Sequence, residues 1–134
     1  MPLGTKDMEE VLLFDKHIGE TQLMEEILTR LGCRVTLAYN ENDCVEKFRN
    51  ASYVLVLFDH AIPDLDISGF VSKIEDISLK TPVAMMVTFS TRFYAEKYGC
   101  AGIDFLIFKP FGFAQVLGLM AEVRKLARRL RDTY

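Results

Sequence analysis

Residues 53 to 58 read YVLVLF, apolar at every position, and a strand tolerates such a run only when both of its faces are covered. That places the run at the centre of a parallel sheet. Similar runs recur along the chain: VLLF at 11–14, CRVTLA at 33–38, PVAMMV at 82–87 and IDFLIF at 103–108. Between them, apolar residues fall at helical spacing. Ile18, Leu23, Ile27, Leu28 and Leu31 form the first such series, with Gly32 as its stop signal. Cys44, Val45 and Phe48 follow a cap at Asn40 or Asn42, and Phe70, Val71, Ile74 and Ile77 follow a loop containing Pro63. Phe93, Ala95, Tyr98 and Ala101 make a weaker fourth series; Val116, Leu117, Met120, Val123, Leu126 and Leu130 make the last. Five strand–helix units with right-handed crossovers define an α/β fold: a doubly wound five-stranded parallel sheet with five helices on its two faces.

Length and composition narrow the functional classes. A chain of 134 residues is the size of one domain. Hydrophobic residues at 50% and charged residues at 26% exclude a disordered or collagenous chain. A net charge of -3 gives no electrostatic case for direct nucleic-acid binding. No apolar stretch approaches the roughly 20 residues of a membrane span, and MPLGTKDMEE lacks the features of a signal peptide. Cys33, Cys44 and Cys100, odd in number and widely spaced, read as reduced thiols of a cytoplasmic protein. The methionines, Met85 and Met86 among them, are assigned to the core.

Charge stands where apolar runs stop: Asp15 after VLLF, Asp59 after YVLVLF, Lys109 after FLIF. In open doubly wound sheets the site lies outside the carboxyl ends of the strands, at the switch point of strand order. Asp15, Asp59, Lys109 and the Thr88 region are therefore delivered to one rim. Asp64 and Asp66 are read as turn and capping residues, and His17 and His60, which flank the site, are given no catalytic role. The segment DKHIGET after the first strand holds no Gly-rich phosphate loop, which counts against a small α/β enzyme or flavin carrier. RKLARRLRD (124–132) reads as the solvated face of the last helix.

Five segments in order, VLLFDKH (11–17), LGCRVTLAYNENDCVEKF (31–48), VLFDHAIPDLD (56–66), PVAMMVT (82–88) and GIDFLIFKPF (102–111), resemble a bacterial two-component response-regulator receiver domain. The resemblance covers residues 9–130, leaving tails at 1–8 and 131–134. The lysine, proline and aromatic after the last strand are its most specific part. It implies the flavodoxin-like strand order 2-1-3-4-5 and a cytoplasmic phosphorelay module that is not a turnover enzyme. Asp59 would accept phosphate from a sensor histidine kinase or phosphotransfer protein, with Lys109 pairing the phosphoryl oxygens. Asp15, Asp59 and the Ala61 carbonyl would hold Mg²⁺, and a hydroxyl at the end of the fourth strand, Thr88 here, would report the phosphate. The face of the fourth helix, fifth strand and fifth helix, within residues 91–125, would dock a downstream protein or a second copy.

The departures are specific. Lys16 stands where the family carries its second metal-side acid, which replaces a charge of -1 by a fixed cation and weakens or abolishes Mg²⁺ binding. Its ammonium either fills part of the metal space and pairs with Asp59, or points to solvent. Counting without gaps from Pro82, Val87 falls on the hydroxyl position and Thr88 one residue beyond, unless a bulge restores it. Ile67 takes the place of a glycine, with Gly69 two residues on; Leu106 takes the place of the switch aromatic, just after Phe105. The alternative to a phosphoacceptor is thus a pseudo-receiver that binds partners without Mg²⁺ or phosphate. With no length left for an effector domain, the chain reads as a stand-alone regulator or a piece of a larger one.

Overall fold

The computed structural model describes residues 8–88 and 102–133. Its elements are β1 (Glu9–Phe14), α1 (Ile18–Arg30), β2 (Cys33–Ala38), α2 (Glu41–Asn50), β3 (Leu55–Asp59), α3 (Ile67–Ile77), β4 (Val83–Thr88), β5 (Phe105–Lys109) and α4 (Phe113–Thr133). All strand pairs are parallel, in the order β2-β1-β3-β4-β5. Four helices lie among the described residues; the one expected around residues 93–101 lies outside them, as does Cys100. The last helix continues to Thr133, past residue 130 where the domain was expected to stop.

Strand alternation sorts the core into two layers, because successive side chains leave a strand on opposite faces. Leu12, Phe14, Val56, Phe58, Met85 and Val87 face α2 and α3, where Phe48, Phe70, Val71 and Ile74 cover them. Val11, Leu13, Leu55, Leu57, Met86 and Ile107 face α1 and α4, covered by Met24, Leu28, Val116 and Met120. All five residues of β3 are buried, as an apolar run with both faces covered requires. The strand starts at Leu55 instead of Tyr53 because pairing with β1 begins at Val11↔Leu55, with the Val54 N–H donating to the Glu10 carbonyl at 2.8 Å.

Local chemistry explains most boundaries. Gly32, at φ 87, follows α1 in the left-handed region that glycine adopts without strain. The Asn40 side chain accepts the Asp43 N–H at 2.7 Å and caps α2. Asp64 turns the chain at φ 61; Asp66 holds the N-cap position of α3 without a side-chain cap bond. The Lys109–Pro110 peptide is cis.

Some assignments change. Met24, Met85, Met86 and Met120 are core, but Met8 is exposed where the chain enters β1. Leu23 and Leu117, counted in the apolar stripes of their helices, are exposed. The basic end of α4 is not wholly a solvated face: the Arg124 guanidinium grips Glu9 through Nε (2.9 Å) and Nη2 (2.6 Å), tying α4 to β1.

Cys33 and Cys44 are buried free thiols. Burial, helped by Asp43 and Glu41, pushes Cys44 up to about 12. In a Cys100→Ser background, a thiol-directed disulfide reagent at neutral pH is expected to leave Cys44 unmodified until denaturant is added. Stoichiometric labelling of the folded protein at Cys44 would show that its side chain is accessible.

Candidate functional site

The same alternation that builds the core aims the polar residues. Val11, Leu13 and Asp15; Leu55, Leu57 and Asp59; Ala84, Met86 and Thr88; Phe105, Ile107 and Lys109 each step along one strand toward the α1/α4 side. The sheet reverses its order between β1 and β3, so Asp15 and Asp59 flank the switch point.

Asp59 is completely buried. Its Oδ1 accepts the Ala61 N–H at 2.7 Å and its Oδ2 accepts from the Lys109 ammonium. Lys109 Nζ also donates to Glu20 Oε2 at 2.8 Å. Desolvation pulls the Lys109 ammonium down, but hydrogen bonds to Asp59 and Glu20 and attraction to both carboxylates outweigh it, holding it above the ordinary lysine value.

Asp15 is 1% exposed. Its Oδ1 accepts the His17 backbone N–H at 3.0 Å and lies 3.2 Å from His17 Nδ1, while its Oδ2 is buried with no hydrogen-bond partner among the described residues. His17 is the N-cap residue of α1 and Glu20 stands in the first turn. An acid three residues after a cap ordinarily folds back onto the cap N–H. Here Asp15 already holds that N–H, so the Glu20 carboxylate is left for Lys109.

Donor atoms of Asp15, His17, Glu20 and Asp59 lie within 4.8 Å of one another. Glu20 and His17 were not expected in the site. The available signal was the spacing of DKHIGE, an acid, a histidine two residues on and a second acid three further, across a strand-to-helix turn.

Lys16 does not fill the metal space. It is exposed and makes no ion pair among the described residues; the cation on Asp59 is Lys109. The long, strongly hydrated ammonium is better placed in water than against the buried Asp59 carboxylate, which already holds one ammonium. Three carboxylates (Asp15, Glu20, Asp59) and one ammonium meet here.

β4 pairs with β5 in unbroken register from Ala84↔Phe105 to Thr88↔Lys109, so no bulge shifts the hydroxyl. Val87 is fully buried in the α2/α3-side core and Leu106 packs against that same core. Thr88 lines a cavity with Glu20, Leu23, Lys109, Pro110 and Phe111. His60 is held by the Met86 carbonyl at 3.0 Å, with Nδ1 3.6 Å from Asp59 Oδ1. Ala61 is exposed beside Asp59.

An open parallel α/β sheet with buried aspartates on both sides of its switch point and a lysine facing them defines a receiver-type module. The family model described as the response regulator receiver domain matches residues 11–121, and the chain belongs to that family. It is 28% identical over 114 residues to the transcriptional regulatory protein ZraR of Klebsiella oxytoca, covering 84% of this chain and 26% of that one. It is 29% identical over 115 residues to two-component system protein A of Emericella nidulans, covering 84% of this chain and 17% of that one. The chain thus spans 26% and 17% of the length of these two relatives. Among solved structures, the chemotaxis response regulator CheY4 of Vibrio cholerae aligns with a TM-score of 0.77 at 22% identity, over 87% of this chain and 98% of that one. NtrX from Brucella abortus aligns with a TM-score of 0.86 at 18% identity, over 94% of this chain and 29% of that one. These two likenesses concern the fold.

Receiver domains bind Mg²⁺ through acidic residues. The donors here fit a divalent cation: three carboxylates converge, one carries a buried oxygen without a partner, and Lys16 is turned away. No described helix is long and apolar enough to cross a membrane.

Proposed function

We propose that this receiver domain takes a phosphoryl group on Asp59 and changes its partner binding in response, as a signalling module and not a turnover enzyme. The observation that carries the reading is the Asp59 carboxylate itself: wholly buried at the end of β3, fixed by the Ala61 N–H on one oxygen and by Lys109 on the other. An Asp59 oxygen would attack the phosphorus of a phosphohistidine on a sensor kinase or phosphotransfer protein. The P–O bond forms as the P–N bond breaks, the imidazole leaves with a proton from solvent, and an acyl phosphate results. Lys109 then meets the new phosphoryl oxygens, which support the ammonium as Asp59 did. Thr88, beside Lys109 in the register, brings a hydroxyl residue to a cavity that Lys109 and Glu20 also line. A divalent cation held by Asp15, Asp59 and the Ala61 carbonyl would neutralise charge on the transferring group.

A second reading rests on Val87 and Leu106. With two aliphatic side chains in the core at the positions where the family couples a hydroxyl to an aromatic, phosphate has no such lever to pull, and the domain would bind its partner in one state. A small phosphodonor with a divalent cation separates the two. Wild type is expected to gain the mass of one phosphoryl group and Asp59→Asn to stay at background, a loss of at least about tenfold. An unlabelled wild type would instead leave the phosphate-independent reading standing.

A further inference from the structure

We propose that His17 and Glu20 replace the acid displaced by Lys16, and that the site takes a divalent transition ion accepting imidazole, of the Mn²⁺ or Zn²⁺ class, in preference to Mg²⁺. This rests on the pocket at the β1 and β3 ends being the phosphoacceptor site. Losing one carboxylate from the position after Asp15 would leave the family's metal site short of a ligand. The turn into α1 brings two others back: His17 at the N-cap and Glu20 in the first turn.

Geometry supports one ion. Donor atoms of Asp15, His17, Glu20 and Asp59 all lie within 4.8 Å of one another. Four donor atoms spread over no more than 4.8 Å lie within about 2.9 Å of a common point, so closure onto an ion at about 2.1 Å needs up to about an ångström of movement per donor. His17 Nδ1 is 3.2 Å from Asp15 Oδ1 and 3.8 Å from Glu20 Oε2, and in the tautomer protonated on Nε2 it carries a free lone pair for an ion. The side chains that must move are the outer ones, His17 at 54% and Glu20 at 39% exposure.

An independent observation points to a bound cation. Asp15 Oδ2 is buried and has no hydrogen-bond partner among the described residues. A buried carboxylate oxygen without a donor is costly unless something positive meets it. Lys109 does not: its ammonium is committed to Asp59 and Glu20. Three carboxylates against one ammonium leave the pocket formally at -2, the charge one divalent ion cancels.

Ion chemistry then sets the preference. Mg²⁺ demands oxygen ligands in near-octahedral geometry and gains little from imidazole. Mn²⁺ and Zn²⁺ accept a mixed nitrogen and carboxylate set, Zn²⁺ more tightly. Glu20 exchanges Lys109 for the ion, while Lys109 keeps Asp59.

Calorimetric titration of the tag-free chain with Mg²⁺, Mn²⁺ and Zn²⁺ tests this, with His17→Ala, His17→Gln, Glu20→Gln and the control His60→Ala. Zn²⁺ and Mn²⁺ are expected to bind one site at least about tenfold more tightly than Mg²⁺. His17→Ala is expected to weaken Zn²⁺ by at least about tenfold and to change Mg²⁺ by no more than about twofold. In wild type, histidine ring NMR signals of His17 shift on adding Zn²⁺. Mg²⁺ binding as tight as Zn²⁺, affinity indifferent to both His17 variants, or shifts confined to His60 would each overturn the proposal. Phosphodonor labelling of Asp59 run beside it keeps the two readings apart. Labelling that persists with His17-independent metal binding sinks this inference alone; labelling absent with every ion sinks the phosphoacceptor reading.

Discussion

Phe70→Ala is expected to lower the unfolding free energy by about 3–5 kcal/mol, measured by urea denaturation. Phe70 is completely buried on α3, and its ring meets two others edge-on: Phe14 of β1 at 5.4 Å and Phe58 of β3 at 5.1 Å between centroids. Each contact adds edge-to-face attraction to the transfer term, and three elements meet at this one ring. Truncation forfeits the transfer free energy of the buried ring and leaves a cavity between α3 and the two strands that carry Asp15 and Asp59 at their ends. Against a total stability of about 5–15 kcal/mol, that is a third or more of the fold for many domains of this size. Phe70→Leu keeps most of the volume and is expected to cost less than half as much. A loss below about 1 kcal/mol for the alanine variant would mean that the ring does not fill the space assigned to it.

The sheet was legible because burial leaves a mark in composition. A strand covered on both faces has to be apolar throughout, and β3 announced itself in that way; the charged residues that end such strands then had only one rim to occupy. Strand starts were less legible. Glu9 and Glu10 join β1 through ladder bonds with β2 and carry no hydrophobic signal, while Tyr53 and Val54 look like strand and precede it. Asp15, Asp59 and Lys109 were found as a group because their positions follow from strand ends alone. Glu20 and His17 depend on which carboxylate satisfies the His17 N–H, a choice between Asp15 and Glu20 that sequence spacing leaves open. The choice between the two fates of Lys16 was open for a related reason: the electrostatic gain of pairing with Asp59 was visible in the sequence, and the occupation of that carboxylate by Lys109, which leaves Lys16 in solvent, was not.

Lys109→Met is expected to destabilise the domain by about 3–5 kcal/mol, since removing one partner of a buried pair strands the other charge. Methionine keeps the apolar stem, so the loss reports the ammonium and not the packing. Asp59, fully buried, would retain only the Ala61 N–H; Glu20 reaches solvent and loses little. Combining Lys109→Met with Asp59→Asn leaves no stranded charge, and the double variant is expected to recover at least about 1 kcal/mol over the sum of the single losses. Simple additivity would mean that the two residues are not coupled. The pair also sets a pH signature. Lys109 titrates above its ordinary 10.5 when folded, so its stabilisation is complete below that unfolded-state value and is lost as pH rises through the higher folded one. Wild type should therefore weaken on that alkaline limb, and Lys109→Met, already without the ammonium, should lack this component. On the proposed reading, a phosphoryl group on Asp59 would give Lys109 new oxygens to hold in place of the ones it leaves, and the pair that anchors the resting state would be the contact that phosphorylation rearranges.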